Sequence, residues 1–179
     1  MQKIQVHDKW FEPYISKEKI SARVADVATQ ISIELDGLNP LCIGILNGSF
    51  IFAADLFRSL SIDAEISFIK LASYKGTSST GSIVTAIGLD ENLYDRHIII
   101  IEDIIDTGKT LSAFLPEIIQ RHPASIRIAA FLTKPEALQH DIHADFVAFE
   151  IPDRFVVGYG LDYDGLGRNL PELYILSEE

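Results

Sequence analysis

The amino-acid sequence predicts an α/β fold, in which a doubly wound, mainly parallel central sheet has helices on its faces. Apolar, strand-like runs alternate with amphipathic stretches, which is typical of parallel βαβ units. The clearest strand, residues 97–101, holds four consecutive isoleucines. Runs of β-branched residues favour a strand covered on both faces. Ligands of such sheets bind beyond the C-terminal ends of the strands.

The first half of the chain predicts helices and strands in alternation. Ser16 is a suitable N-cap for a first helix, and apolar residues recur after it at helical spacing. Gly37 and Pro40 end that helix. The predicted elements are a helix over 16–36, a strand over 41–46, a helix from the turn at 47–49 to about 60, a strand over 65–71, a polar loop over 73–82 and an edge strand over 83–87.

The second half continues the same pattern. A helix follows the isoleucine strand, and two further strands are separated by a short helical turn. The predicted elements are a helix over 108–121, a strand over 125–132, a turn over 135–138, a strand over 145–149 and, in the tail, strand-like pieces over 155–158 and 173–176.

Length, charge and cysteine content limit the classes of protein to consider. The 179 residues suit one domain with one sizeable core. A net charge of −11 argues against a nucleic-acid partner, although backbone N–H groups, a few cations and a metal can still hold a small anion. No apolar run approaches membrane-spanning length. The single Cys42 cannot form an internal disulfide, and the first 14 residues lack the apolar region of a signal peptide. We therefore predict a cytoplasmic protein.

The most informative segment is 98–110. An apolar strand ends in Glu102 and Asp103, a tight loop follows, and a helix begins there. Free N–H groups from 106 to 110 at the helix N-terminus favour an anion, and Thr107 and Thr110 add hydroxyl donors. The two carboxylates suit ribose hydroxyls or a hydrated cation. The segment therefore predicts a site for a phosphomonoester.

Two other phosphate-binding motifs do not fit. The triplet Gly108-Lys109-Thr110 resembles the end of a Walker A loop, but that loop needs glycine where this chain has Asp103. A dinucleotide-binding loop would need a third glycine where Tyr163 stands.

The segment 102–110 resembles the signature of type I phosphoribosyltransferases that binds 5-phosphoribosyl-1-pyrophosphate (PRPP), in the form of the hypoxanthine–guanine branch. Four more stretches match that branch in the expected order, from about Leu41 to the C-terminus. They are the pyrophosphate loop at 46–50, the mobile loop at Ser73-Tyr74 and 79–81, the lysine segment at 132–135, and the hood at 149–163 and 168–171. The first forty residues resemble the family only loosely.

The resemblance implies transfer of phosphoribosyl from PRPP to N9 of a 6-oxopurine, with Mg²⁺ as cofactor and pyrophosphate as the second product. It also implies a single domain over 1–179, with a core at about 16–150 and a small hood made by the N-terminal segment and about 151–179. A homo-oligomer, dimer or tetramer, is expected. Closing of the mobile loop would exclude water from the site.

The resemblance also assigns roles to single residues. PRPP and its phosphates are assigned to Asn47, Gly48, Ser73, Tyr74, Glu102, Asp103, Asp106, Thr107, Gly108, Lys109, Thr110 and Arg168. The purine is assigned to Lys134, Phe155, Val156 and Asp162. Mg²⁺ is assigned to Glu102 and Asp103, with Asp162 as an outer ligand. Asp106 is assigned as the general base near N7 of the purine.

The residue types suit these roles. The Lys134 ammonium can donate to a 6-oxo group, the Phe155 ring can stack on a base, and the Val156 backbone can bond its polar edge. The Arg168 guanidinium can hold pyrophosphate through two hydrogen bonds.

One residue departs from the family pattern. Asn47 stands where the family usually has lysine, which predicts weaker charge compensation at the pyrophosphate with activity retained. Backbone N–H groups of Asn47 and Gly48 can still form an anion nest. The resemblance also implies a cis peptide bond between Leu46 and Asn47.

Two alternatives remain open to test. One is a phosphoribosyltransferase for adenine or a pyrimidine, which the lysine and hood segments argue against. The other is a regulator that senses PRPP without catalysis, although this chain lacks the extra length and basic face of a nucleic-acid-binding region. His140 and His143 have metal-compatible spacing without an evident third ligand, so we interpret them as surface residues.

Overall fold

The computed structural model describes residues 2–74 and 83–178. It contains ten strands and three α-helices in that part of the chain. In order they are β1 (Ile4–Val6), β2 (Lys9–Ile15), α1 (Lys17–Glu34), β3 (Leu41–Leu46), α2 (Phe50–Ser59), β4 (Glu65–Tyr74), β5 (Ile83–Ile87), β6 (His97–Ile105), α3 (Lys109–Ile119), β7 (Ser125–Thr133), a 3₁₀ turn (Pro135–Ala137), β8 (Phe146–Glu150), β9 (Val156–Val157) and β10 (Leu173–Leu176).

The central sheet has the order β5-β4-β3-β6-β7-β8. Five neighbouring strands run parallel; they are β4, β3, β6, β7 and β8. Strand β5 pairs antiparallel with β4 at the edge. The predicted doubly wound, mainly parallel α/β fold is therefore confirmed.

The isoleucines of β6 show how both faces of this sheet are covered. Ile99 and Ile101 point into a core shared with α1 and α2, whereas Ile98 and Ile100 point into a core shared with α3. This follows from the two-residue period of a strand. Within the described chain, no helix is long and apolar enough to cross a membrane.

Helix α1 begins where the sequence predicts. The Ser16 hydroxyl accepts a hydrogen bond from the Lys19 N–H at 3.4 Å, which satisfies one free donor of the first turn. The apolar residues at helical spacing are all buried. They are Ile20, Val24, Val27, Ile31 and, at the C-cap, Leu35.

A second, antiparallel sheet of order β1-β2-β10-β9 forms the hood. No strand was predicted before Ser16, so that part of the secondary-structure prediction was wrong. Pro13 made β2 hard to predict, because proline cannot donate to a ladder. The structure tolerates it beyond the stretch that pairs with β1, opposite a bulge in β10. The fully buried Phe11 anchors β2 in the hood's own core.

Strand β6 is longer than predicted, because it continues to Ile105. Glu102 and Asp103 were placed at its end, and that was wrong: Glu102 still pairs with Ala130 of β7. The strand ladder therefore fixes the backbone of the acidic pair.

Cys42 is a packed core residue of β3. Burial raises the pKa of its thiol to about 12. Because the thiolate is the reactive form, Cys42 is not a candidate nucleophile at neutral pH.

Candidate active site

The C-terminal ends of the parallel strands meet along one edge of the central sheet, as expected for a ligand site in this fold. The last residues of β3, β6, β7 and β8 are Leu46, Ile105, Thr133 and Glu150. Predicted site residues lie at or directly after these ends. They include Asn47, Gly48, Asp106, Thr107 and Lys134.

The loop between β6 and α3 forms a cradle at a helix N-terminus. Gly108 caps α3 in the left-handed conformation, with φ of 78°, which glycine adopts without strain. Residues 102–111 line a cavity of about 280 Å³. The first N–H groups of α3 have no backbone acceptor within the helix and can donate to an anion; in this structure the Lys109 N–H donates to the Thr107 hydroxyl at 3.3 Å. The Thr107 carbonyl accepts hydrogen bonds from the N–H groups of Gln139 and His140, so the chain after the 3₁₀ turn braces this loop.

Glu102 and Asp103 form a coupled carboxyl pair beside the cradle. Burial, followed by the neighbouring Asp103, raises the pKa of Glu102 well above its usual value. Burial also raises the pKa of Asp103, while hydrogen bonds from Glu102 and the Ile104 N–H and the charge of Arg168 act in the opposite direction. The Asp103 Oδ1 atom accepts from the Ile104 N–H at 2.7 Å. Burial therefore favours the protonated form of both carboxyl groups, relative to exposed carboxylates.

Glu102 lacks a full set of partners. Its side chain is buried, and its Oε2 atom makes no hydrogen bond. An unsatisfied buried polar atom is costly, so this residue stores free energy that a ligand can recover.

Replacing Glu102 with Gln is expected to stabilise the metal-free protein at neutral and alkaline pH. The pKa of Glu102 is higher in the folded chain than its usual 4.5, so the folded chain binds more protons between the two values. Stability therefore falls as pH rises through that window, by about 1.4 kcal/mol for each unit of pKa shift. Glutamine is neutral throughout and removes the decline. Urea unfolding at several pH values measures the free energy of unfolding, with Glu136→Gln on the exposed 3₁₀ turn as control. If this free energy has the same pH dependence in Glu102→Gln and wild type, the expectation is contradicted.

Gly48 lies against Asp103. A Cβ atom at position 48 would overlap the Asp103 carboxylate, so any residue other than glycine requires Asp103 to move. The peptide bond between Leu46 and Asn47 is cis, as the family resemblance implies. Asn47 itself is exposed, while the Ser49 hydroxyl donates to the Ile45 carbonyl at 2.6 Å and fixes the turn into α2.

The hood contacts the loop after β3, which contains Gly48, through Gly160, and Arg168 lies beside this contact. A Cβ atom at Gly160 would overlap the Gly48 carbonyl oxygen, so the two segments are in direct contact. The Arg168 guanidinium donates to the Gly160 carbonyl at 2.7 Å and contacts the Asp162 carboxylate at 2.7 Å. Asp162 also accepts from the Gly165 N–H at 2.7 Å. Arg168 is thus held next to the acidic pair, consistent with its effect on Asp103.

Lys134 lies between two carboxylates. Its ammonium contacts Asp153 Oδ1 at 3.1 Å and Asp106 Oδ2 at 3.3 Å. The lysine side chain is buried, whereas Asp106 is about half exposed. The sequence analysis named Lys134 and Asp106 but missed Asp153. A carboxylate three residues after the end of a parallel strand, at the same edge as Lys134, was the signal available for finding it.

Phe155 lies in an aromatic group of the hood. The residue is 42% exposed. Its ring centre lies 5.7 Å from that of Tyr163, in an edge-to-face arrangement, and 6.2 Å from that of Phe11. The Lys9 ammonium lies 4.7 Å from the Tyr163 ring centre and 5.9 Å from that of Phe155. Phe11 and Lys9, both on β2, were not predicted as part of this region.

The backbone groups of the buried Val156 do not pair with β10. The Phe155 carbonyl accepts from the Leu176 N–H at 2.8 Å, and Val156 is opposite Ile175. Backbone groups alternate in direction along an antiparallel ladder, so those of Val156 point away from β10. Within the part of the chain that the structure describes, β9 is the last strand of the hood sheet, so these groups have no strand partner on their side.

Ser73 and Tyr74 are the last residues of β4 and pair with Val84 and Ile83 of β5. Their position is therefore at the same sheet edge as the other predicted residues. The predicted loop at 79–81 lies outside the described residues.

The described side chains do not form a complete metal site by themselves. Among residues 2–74 and 83–178, no three His, Cys, Asp or Glu side chains are placed to hold a metal ion together. His143 contacts Asp141 at 2.9 Å, and both side chains are exposed.

Known proteins are similar to this chain along most of its length. A family model for the phosphoribosyl transferase domain matches residues 14–164. The hypoxanthine-guanine phosphoribosyltransferase of Bacillus subtilis is 42% identical over 164 residues, 91% of each chain. A crystal structure of a Staphylococcus aureus hypoxanthine phosphoribosyltransferase superimposes with a TM-score of 0.86 at 36% identity, over 93% of this chain and 91% of the other. A Trypanosoma cruzi hypoxanthine phosphoribosyltransferase mutant in a ternary complex with substrates gives 0.84 at 34% identity, over 92% and 94%. This chain is a phosphoribosyltransferase, a member of the family that these enzymes represent.

Proposed function

We propose that this enzyme transfers the 5-phosphoribosyl group of PRPP to N9 of hypoxanthine or guanine, which yields IMP or GMP and pyrophosphate. One observation carries the proposal. The buried Lys134 ammonium, a donor for a 6-oxo group, lies 3.3 Å from Asp106 in the phosphate cradle. Base recognition and phosphoribosyl binding are thereby joined at one pair of residues. Purine salvage is the role that this reaction serves.

The cradle binds the 5-phosphate of PRPP. Backbone N–H groups from Asp106 to Thr110 and the hydroxyls of Thr107 and Thr110 supply donors, and the α3 dipole adds a positive field. Lys109 belongs to the same first turn. The acidic pair beside the cradle accepts hydrogen bonds from the two ribose hydroxyls.

The pyrophosphate lies at the loop after β3. The Asn47 and Gly48 N–H groups and Arg168 contact it, and Ser73 and Tyr74 close over it. Because Asn47 carries no charge, Arg168 is the main side-chain cation there, and it is already held in place by Gly160 and Asp162.

The base binds between Lys134 and the hood. Its ring stacks on the exposed part of Phe155, and its polar edge bonds the backbone of Val156. Base–aromatic stacking is worth about 1–3 kcal/mol. The Lys134 ammonium donates to the 6-oxo oxygen, and Asp162 completes the hood side of the pocket.

Selectivity follows from Lys134. A protonated amine has only N–H donors, so it matches the 6-oxo acceptor of hypoxanthine or guanine and opposes the 6-amino donor of adenine. Leaving buried polar groups unpaired discriminates strongly between otherwise similar substrates.

Asp106 acts as the general base. Its carboxylate receives the proton at N7 while N9 attacks C1′ of PRPP. The C1′–N9 bond forms as the C1′–O bond to pyrophosphate breaks, with inversion at C1′. General-base catalysis of this kind typically contributes about 10²–10⁴-fold to the rate.

The acidic pair fits the hard oxygen donors that Mg²⁺ requires. Glu102 has an unsatisfied buried oxygen, and Asp103 faces the pyrophosphate loop at Gly48. With Asp162 as an outer ligand, these carboxylates would hold a metal whose other ligands come from PRPP and water. The metal would neutralise the charge of the leaving pyrophosphate.

The wider setting is also part of the proposal. We infer one domain, with its core at about 16–150 and a hood from the N-terminal segment and about 151–179. We also infer a cytoplasmic homo-oligomer, a dimer or tetramer. The partly exposed Phe50 and Phe68, on α2 and β4, support an apolar contact between copies.

Product analysis tests the proposal. The purified enzyme is incubated with PRPP, Mg²⁺ and hypoxanthine, and IMP and pyrophosphate are quantified by mass spectrometry and a coupled assay. We expect equal amounts of both products. Binding of PRPP without release of pyrophosphate would contradict the proposal and favour a PRPP-sensing regulator.

A further inference from the structure

Lys134 is a buried cation that two carboxylates from different segments share. Its side chain is 8% exposed, against 48% for Asp106 and 59% for Asp153. A buried charge is costly unless it is paired and hydrogen-bonded. The two carboxylates therefore hold the ammonium in place.

Among residues 2–74 and 83–178, the contacts of the Lys134 ammonium leave one of its donors free. An ammonium has three N–H donors, and Asp153 and Asp106 each take one, at 3.1 and 3.3 Å. Because the three donors point to fixed tetrahedral directions, the two carboxylates determine where the third one points. A lysine with only one partner could rotate about its terminal bond, so both contacts are needed to aim it.

The segment that carries Asp153 is itself fixed. The Ile151 N–H donates to the Thr133 carbonyl at 2.9 Å, directly before Lys134 in the chain. The Arg154 guanidinium contacts the Leu176 carbonyl and, at 3.4 Å, the Glu178 carboxylate. Asp153 is therefore held between the end of β7 and the hood, two residues before the base-stacking Phe155.

We propose that Asp153 is a positioning residue for base recognition: it aims the free Lys134 donor at the 6-oxo group and keeps the lysine from pairing with Asp106 alone. This inference rests on the proposed function. Asp153 itself need not touch either substrate, since it acts through Lys134.

Steady-state kinetics of Asp153→Asn test this role. Hydrogen bonds to charged groups are worth enough that we expect the KM for hypoxanthine to rise about tenfold. The KM for PRPP should stay within about twofold, since the cradle is untouched. Asp153→Glu should recover part of the loss, and Glu136→Gln, which removes an exposed carboxylate two residues from Lys134, should behave as wild type. Equal increases in both KM values would overturn the inference.

A double-mutant cycle separates positioning from a general structural role. In a Lys134→Met background, Asp153→Asn should change the KM for hypoxanthine by less than about twofold, because its effect depends on the ammonium. A full, additive effect would overturn the proposal. Both single variants and the pair are compared by thermal unfolding, so that a loss of folded protein is not mistaken for a loss of recognition.

Calorimetric titration with IMP gives the same comparison without turnover. Weaker IMP binding by Asp153→Asn in a chain that forms no nucleotide would support the inference while the proposed transfer failed. Normal nucleotide formation together with unchanged IMP binding and KM in Asp153→Asn would overturn the inference and leave the proposed function standing.

Discussion

An Asp106→Asn variant is expected to lose about 10²–10⁴-fold in kcat, because an amide cannot accept the purine proton as a carboxylate does. The change keeps the size of the side chain and leaves the backbone N–H groups of the cradle in place. PRPP affinity should therefore change little. Initial rates with saturating PRPP and hypoxanthine, together with calorimetric PRPP binding, measure the two quantities separately.

The control for this variant is Asp26→Asn, which removes an exposed carboxylate from α1, far along the chain from the cradle. It should retain wild-type kcat. Near-normal turnover of Asp106→Asn with intact PRPP binding would remove Asp106 from the role of general base.

The second large effect is expected for Gly48→Ala. The added methyl group would overlap the Asp103 carboxylate, which must swing away and lose its hydrogen bond from the Ile104 N–H. Displacing a positioned group by about 1 Å can cost about 10²-fold. We therefore expect kcat/KM for PRPP to fall about 10²-fold or more, while the protein still folds, because the obstructing atoms belong to a side chain that can rotate.

Gly37→Ala is the matched control. Gly37 follows α1 in the left-handed conformation, with φ of 74° and open space where a Cβ atom would lie. Alanine there costs about 1–2 kcal/mol of backbone strain, which thermal unfolding will detect, without an effect on kcat/KM. If both glycine variants lose stability but keep wild-type kinetics, Gly48 has no special part in the site.

The core of the fold was predictable because its signals are local. The isoleucine run of β6 is a single uninterrupted pattern, and its residues divide between two cores as period two requires. The hood was harder. Strand β2 pairs with β10, more than 150 residues later in the chain, and such a pairing leaves little trace in a short segment that contains Pro13.

The site shows the same division. The cradle at 106–110 is continuous in sequence, so its residue types and order could be recognised together. Asp153 was missed because its role depends on its contact with Lys134, which lies 19 residues earlier in the chain. The parallel pairing of β7 and β8 brings the two residues together. The length of β6 was underestimated because acidic residues such as Glu102 and Asp103 are uncommon in strands, whereas pairing with β7 holds this backbone extended.

The measurement that tests the central claim most directly is a comparison of bases. Hypoxanthine, guanine, xanthine, adenine and orotate are offered separately with PRPP and Mg²⁺, and nucleotide formation is followed by ultraviolet absorbance. The account predicts turnover of hypoxanthine or guanine, abolished when the metal is chelated. Turnover of adenine or orotate alone would contradict it, since neither base is matched by the Lys134 donor and the Phe155 hood as described.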